Sequence, residues 1–255
     1  MNPRHTLGKL EQVELLRAME IEEARNIQQA MVCSEPLRAD HVEIASRFRP
    51  VIEVGGDFLD YFLLEDRRFG LYLGDVVGKG LAAAMYAALA MGTIRGIHKS
   101  GTNPTSVMSM MNERLRMRVV PGRYCALQYA VYDPAERLLC YANAGLPRPI
   151  LVSRQGCREV GEGGLPSGLF AGAEYDMYSL ELQPGEAVLF YTDGILEARC
   201  ASGDDFGMER MLAVCERHAH ASPDSLLDCL FAEVDAFTGD GLAHDDMTAI
   251  VLKIT

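Results

Sequence analysis

Apolar and polar residues alternate along several short runs of this 255-residue chain, and that period-two pattern constrains the fold more than any other feature. Val42-Glu43-Ile44-Ala45-Ser46-Arg47-Phe48 alternates like a strand, as do the runs from Val51 to Leu64 and from Phe69 to Asp75. Glu65-Asp66-Arg67-Arg68, between the last two, reads as a hairpin turn. Further strands are expected at Cys125–Tyr132, Leu138–Asn143, Ile150–Ser153, Asp176–Leu182, Ala187–Thr192 and Thr248–Ile254. Between them the period shifts to that of helices. Leu81 to Ile97 is rich in alanine and methionine and apolar nearly all round, so it is expected to be buried, with Gly101 closing it. Asn103-Pro104 opens a second helix through Arg118, and two more are expected over 206–219 and 223–237. Strands in consecutive runs, with helices in separate pairs, indicate an α+β fold rather than a doubly wound parallel sheet.

The N-terminal part reads differently. Residues 8–32 carry few helix breakers and form one expected helix, with Leu10, Val13, Ile21, Ala24, Ile27 and Met31 near one face and Glu35-Pro36 at its end. Arg17 and Glu20 interrupt the stripe, which makes it a mediocre coiled coil. It suits a helix lying on the domain and a dimerisation or signalling helix equally well. The division expected is an N-terminal helical segment over 1–36 and a single domain over 37–255.

Four aspartates stand at the ends or edges of the strand-like runs: Asp57 in Val54-Gly55-Gly56-Asp57, Asp75 in Gly74-Asp75-Val76, Asp193 in Thr192-Asp193-Gly194, and Asp245 in His244-Asp245-Asp246-Met247-Thr248. Singly, each is ordinary turn chemistry, because Asp bonds its own backbone and Gly supplies positive φ. As a set they are costly to bury together unless a cation neutralises them. Oxygen ligands of this hardness suit Mg²⁺ or Mn²⁺, so the set reads as a two-metal hydrolytic centre. One geometric deduction follows from the spacing. Asp57 and Asp75 are equidistant from Asp66, so a turn centred there sets them opposite one another on neighbouring strands. Side chains so opposed have Cβ atoms about 4.5–5.5 Å apart on one face.

Rival chemistries fail on their spacing. Gly74-Asp75-Val76-Val77-Gly78-Lys79-Gly80 is one residue short of a phosphate loop and ends in Gly80 where Ser or Thr is required. No cysteine is followed six residues later by arginine, and neither G-x-S-x-G nor H-E-x-x-H occurs. A formal net charge of −12 argues against a nucleic-acid partner and an anionic-membrane anchor. Seven scattered cysteines without a C-x-x-C pair point to a reducing cytoplasm. No run is seen approaching the roughly 20 apolar residues of a membrane span. Two other readings stay open: a partner-binding module without catalysis, and another two-metal phosphoester hydrolase such as a phosphodiesterase.

Taken in order, Val54-Gly55-Gly56-Asp57, Gly74-Asp75-Val76-Val77-Gly78-Lys79-Gly80, Asn143-Ala144-Gly145, Thr192-Asp193-Gly194 and Asp245-Asp246-Met247-Thr248 resemble bacterial protein-phosphatase-M (type 2C) domains of the RsbU/SpoIIE branch, over about residues 38–255. The resemblance implies an αββα sandwich of two antiparallel sheets flanked by helix pairs, with metals at one edge. It implies dephosphorylation of phosphoserine or phosphothreonine on a protein, in this branch usually an anti-sigma-factor antagonist of the STAS type in a partner-switching pathway. Two Mn²⁺ or Mg²⁺ are implied, Asp75 bridging them. Asp57 and the Val76 carbonyl would hold one ion and Asp193 and Asp245 the other, with Asp246 a further metal residue or one that orients Asp245 or a metal water. The helix over 8–32 resembles the linker that joins a sensor to the phosphatase in this branch. Leu146 departs from the histidine that commonly follows Asn-Ala-Gly there. Arg114, Arg116, Arg118 and Arg123 offer a docking face for an acidic or phosphorylated partner.

Overall fold

A computed structural model describes residues 3–98, 103–239, 241 and 244–255, with side chains from Glu11 onward. Eleven strands among the described residues form two antiparallel sheets. The first has the order β1 (Leu37–Ala39), β2 (Val42–Arg49), β11 (Met247–Ile254), β10 (Ala187–Tyr191), β7 (Ile150–Ser153), β8 (Gly156–Glu159). The second runs β3 (Phe58–Leu63), β4 (Phe69–Val76), β5 (Cys125–Asp133), β6 (Leu138–Ala144), β9 (Tyr178–Glu181). The helices α2 (Gly80–Ile97) and α3 (Pro104–Arg116) cover the second sheet, and α5 (Gly207–Arg217) and α6 (Pro223–Thr238) cover the first.

Alternation along the strands sorts residues between three cores. In β10, Val188 and Phe190 face the other sheet, where they join Ile44, Leu59, Leu71, Leu73, Ile250 and Leu252. Ala187, Leu189 and Tyr191 of the same strand face α5 and α6. In β4, Leu71 and Leu73 point inward while Tyr72 packs under α2 and α3. With both faces covered, the central strands β10 and β11 are buried along their length, as an αββα arrangement demands. The helix starts follow from local chemistry. Asn103 accepts from the Thr105 and Ser106 N–H groups ahead of Pro104, and Ser222 accepts from the Ser225 N–H ahead of Pro223.

Several expectations need correction. Val51–Gly56 is a loop rather than the start of β3, because its N–H groups are drawn to a side chain described below. The short strands β1 and β8 and the helical turn α4 (Asp193–Leu196) had no visible pattern, α3 stops at Arg116, and Gly101 lies outside the described residues. Helix α2 is not buried all round: Leu81, Met85 and Leu89 line an exposed face. Against the reading that no run suits a membrane span, α2 is long and apolar enough to cross one, with 18 residues at mean hydropathy 1.3. Its other face, including Ala83, Ala87, Ala90 and Ile94, is part of the core under the second sheet.

The N-terminal helix α1 (Pro3–Met31) does not lie along the domain on its apolar stripe. Glu11 to Glu20 is exposed, as is Ile27, and among the described side chains burial begins at Ile21 and is complete at Gln28. There the buried Gln28 side chain clamps Gly55, donating Nε2–H to its carbonyl at 2.7 Å and accepting its N–H at 3.0 Å. The Arg95 guanidinium of α2 donates to the Met31 carbonyl at 2.6 Å while pairing with Asp60 at 2.7 Å. Gln28→Ala would leave two backbone groups of Gly55 unpaired, and each such group costs about 1–3 kcal/mol. Urea unfolding of this variant is expected to lose at least about 1 kcal/mol; an unchanged midpoint and slope would contradict the clamp.

Candidate active site

The ends of β3, β4, β10 and β11 meet at one edge of the sandwich. In the β3–β4 hairpin, Phe58 pairs with Gly74 and Leu63 with Phe69. Carried one residue further, that register sets Asp57 against Asp75, the pairing deduced from the turn around Asp66. Asp57 is almost completely buried. Its Oδ2 accepts from Thr192 Oγ1 at 2.8 Å and from Thr248 Oγ1 at 2.5 Å. Thr192 follows β10 and Thr248 lies in β11, so a carboxylate from one sheet is fixed by two hydroxyls of the other. The same Thr192 hydroxyl accepts the Thr248 N–H at 3.0 Å, so its position is fully determined.

Asp246 builds the loop that presents Asp57. Its Oδ1 accepts the Val51 N–H at 2.8 Å and its Oδ2 the Gly56 N–H at 2.6 Å. The sequence offered this side chain as a metal ligand; here both its oxygens are engaged in holding the loop. Close approach explains the motif glycines. A Cβ on Gly56 would stand 2.8 Å from the Val76 carbonyl oxygen, and one on Gly194 would stand 2.0 Å from the Asp246 carbonyl oxygen. The Val76 side chain is buried in the core under α2. The turn after it is held by the Val77 N–H on the Tyr124 carbonyl and by the Arg123 guanidinium on the Val77 carbonyl.

The electrostatics are those of crowded carboxylates. Burial, then the charges of Asp75 and Asp246, push Asp57 well above the usual carboxylate range, against the two threonine hydrogen bonds that favour its ionised form. Asp75 is raised to about 7, first by burial and then by Asp193 and Asp245. Asp193 is raised by burial, Glu197 and Asp245. Asp245 is half-buried, accepts the Asp246 N–H at 2.9 Å, and pairs with Lys79 Nζ at 3.0 Å.

In chemistry this all-oxygen donor set, four carboxylates and a backbone carbonyl, fits a hard divalent cation. In geometry it is not a finished cage: among the described residues, no three Asp, Glu, His or Cys side chains are gathered tightly enough to hold an ion as they stand. Asp57 and Asp75 form the close pair, while Asp193 and Asp245 act on Asp75 through their charge.

Thr192, Thr248, Lys79 and Gln28 were missed as site residues, although three of them lie inside the motifs quoted. A buried carboxylate requires donors, and that requirement alone could have singled out the threonines. Other candidates go elsewhere. Asn143 closes its own turn, donating to the Leu146 carbonyl and accepting the Leu146 N–H, and Leu146 fills the core between the sheets. Among the arginines expected to form a docking face, Arg116 donates to the Leu169 carbonyl. Arg114 and Arg118 are exposed.

Solved structures share this architecture. The SiaA-PP2C domain of Pseudomonas aeruginosa superposes with a TM-score of 0.83 at 20% identity, over 95% of this chain and 98% of that one. The PP2C phosphatase domain of SpoIIE from Bacillus subtilis gives 0.74 at 20% identity, over 87% and 64%. The RsbU and RsbW domains of Rv1364c from Mycobacterium tuberculosis give 0.69 at 26% identity, over 83% and 59%. The fold is that of PP2C phosphatase domains. The family described as Stage II sporulation protein E (SpoIIE) matches residues 65–255, and the chain belongs to it. Asp57 precedes the matched residues, so its membership of the cluster rests on the geometry above. Phosphoserine phosphatase RsbU of Bacillus subtilis (strain 168) is 24% identical over 92% of this chain and 70% of its own length. Phosphoserine phosphatase RsbP of the same organism is 27% identical over 73% of this chain and 47% of its own length, so the chain spans less than half of that relative.

The raised Asp75 pKa carries a signed consequence for the metal-free protein. Between its ordinary 3.8 and about 7, the folded chain retains a proton that the unfolded chain has released. Stability is therefore lost as pH rises through that window. In EDTA, Asp75→Asn is expected to melt at least about 2 °C above wild type at pH 8, with the gap shrinking towards pH 5. A difference independent of pH would contradict the crowding.

Proposed function

We propose that this chain is a Mn²⁺- or Mg²⁺-dependent protein serine/threonine phosphatase acting on a phosphorylated anti-sigma-factor antagonist of the STAS type in a partner-switching pathway. The observation that carries the reading is the convergence of Asp57, Asp75, Asp193 and Asp245 on one sheet edge of a SpoIIE-family domain. The names of two relatives, phosphoserine phosphatases RsbU and RsbP, support the reaction class, and the pairing of RsbU with RsbW domains in a solved structure supports the pathway.

In this reading Asp57, Asp75, Asp193, Asp245 and the Val76 carbonyl would together hold the divalent ions. When bound, the ions supply a water nucleophile at neutral pH and positive charge against the phosphoryl oxygens. The chain's own contribution is placement. Thr192 and Thr248 fix the Asp57 carboxylate, Asp246 fixes the loop that carries it, and Arg123 fixes the turn that carries the Val76 carbonyl. The domain runs over 37–255, and residues 1–36 form its regulatory segment. Val13, Leu15, Leu16 and Met19 on α1, all exposed, give an activator or a second copy an apolar surface to engage. Free thiols throughout suit a cytoplasmic setting.

Turnover of p-nitrophenyl phosphate and of a phosphoserine STAS protein, measured with Mn²⁺, tests the assignment. Asp75→Asn and Asp193→Asn are expected to lose at least about 100-fold in kcat with an unchanged circular dichroism spectrum. Wild-type rates in either variant at saturating Mn²⁺ would contradict it.

A further inference from the structure

Resting on the phosphatase reading above, we propose that Lys79 is the substrate's phosphoryl-binding residue, held on Asp245 until a divalent ion takes that carboxylate. Among the described residues Lys79 is the cation whose ion pair reaches the carboxylate cluster, with Nζ 3.0 Å from Asp245 Oδ2. Its backbone is extended (φ −129°, ψ 165°) between two glycines in the left-handed region, Gly78 at φ +96° and Gly80 at φ +71°. Those two reversals throw the side chain out of the β4–α2 connection towards the cluster. A Cβ at Gly78 would collide with the Arg123 guanidinium, so the turn beneath Lys79 is braced as well as bent.

The ion pair is half-exposed on both sides, at 46% and 37%, and such pairs are weak and readily exchanged. A divalent ion competes for Asp245 with twice the charge. Once Asp245 is taken, the ammonium is left at the mouth of the site without its counter-ion. A phosphoryl dianion approaching four carboxylates needs cations on the side facing solvent as well as in the floor of the site. Lys79 occupies that side and can make charge-assisted hydrogen bonds to phosphoryl oxygens.

Two readouts test the exchange, one without turnover. By calorimetry, Lys79→Gln is expected to bind Mn²⁺ up to about fivefold more tightly than wild type, because the competing ammonium is gone. With p-nitrophenyl phosphate at saturating Mn²⁺, Lys79→Gln is expected to raise KM about tenfold with kcat within about twofold, and Lys79→Arg to restore KM. An unchanged KM in Lys79→Gln, or weakened Mn²⁺ binding, would overturn the proposal while leaving the phosphatase reading intact. A wild-type protein that binds Mn²⁺ and hydrolyses no phosphoester would overturn both.

Discussion

A carboxylate buried between two sheets, and hydrogen-bonded by the threonines of the opposite one, is the interaction on which the rest of this molecule depends. Asp57 is carried on the hairpin of the five-stranded sheet, yet its Oδ2 is satisfied by Thr192 and Thr248 of the six-stranded sheet. A buried charge without such donors would be expensive. Registering the two sheets against each other at this edge is therefore inseparable from building the site. The glycines follow from the same demand. Loop, β4 terminus and β10–α4 turn approach so closely that side chains at Gly56 and Gly194 would strike backbone carbonyls.

Crowding carboxylates at the edge of a well-packed sandwich places stability and function in opposition. The three apolar cores hold the sandwich together. The edge works against them, since burial and mutual repulsion raise Asp57, Asp75 and Asp193 above their ordinary range. Strain of this kind concentrates where chemistry is performed. Lys79 pairs with Asp245 at the exposed rim of the same edge. The same edge is tied to α1 through Gln28, which grips the glycine two residues before Asp57. Whatever rearranges the end of that helix acts on the loop of the buried carboxylate.

Much of this was legible in the sequence because period-two alternation and turn chemistry are local. The symmetry of Asp57 and Asp75 about Asp66 anticipated a register that the β3–β4 ladder reproduces pair by pair. What escaped was non-local or too short for a period to develop. Val51 to Gly56 alternates like a strand, but Asp246, almost 200 residues away, takes the Val51 and Gly56 N–H groups and holds the segment as a loop. The apolar stripe of α1 divides, with Ile21, Ala24 and Met31 half-buried and Val13 and Ile27 exposed, and the hydrogen-bonded anchor is an amide, Gln28, that no apolar periodicity marks. Helix α2 read as buried all round, yet the domain covers one face of it and leaves Leu81, Met85 and Leu89 outside. The roles of Thr192 and Thr248 leave no periodic pattern along the chain, and only the need of a buried carboxylate for donors pointed to them.

The central claim is that protonated, crowded carboxylates at the sheet junction give up their protons to divalent cations. Calorimetric titration of Mn²⁺ into the metal-free protein, in buffers of differing ionisation enthalpy, measures this directly. The account predicts release of at least about one proton per chain at pH 6 and fewer at pH 8.5, where Asp75 is already ionised. Mn²⁺ binding with no proton release at either pH would contradict it.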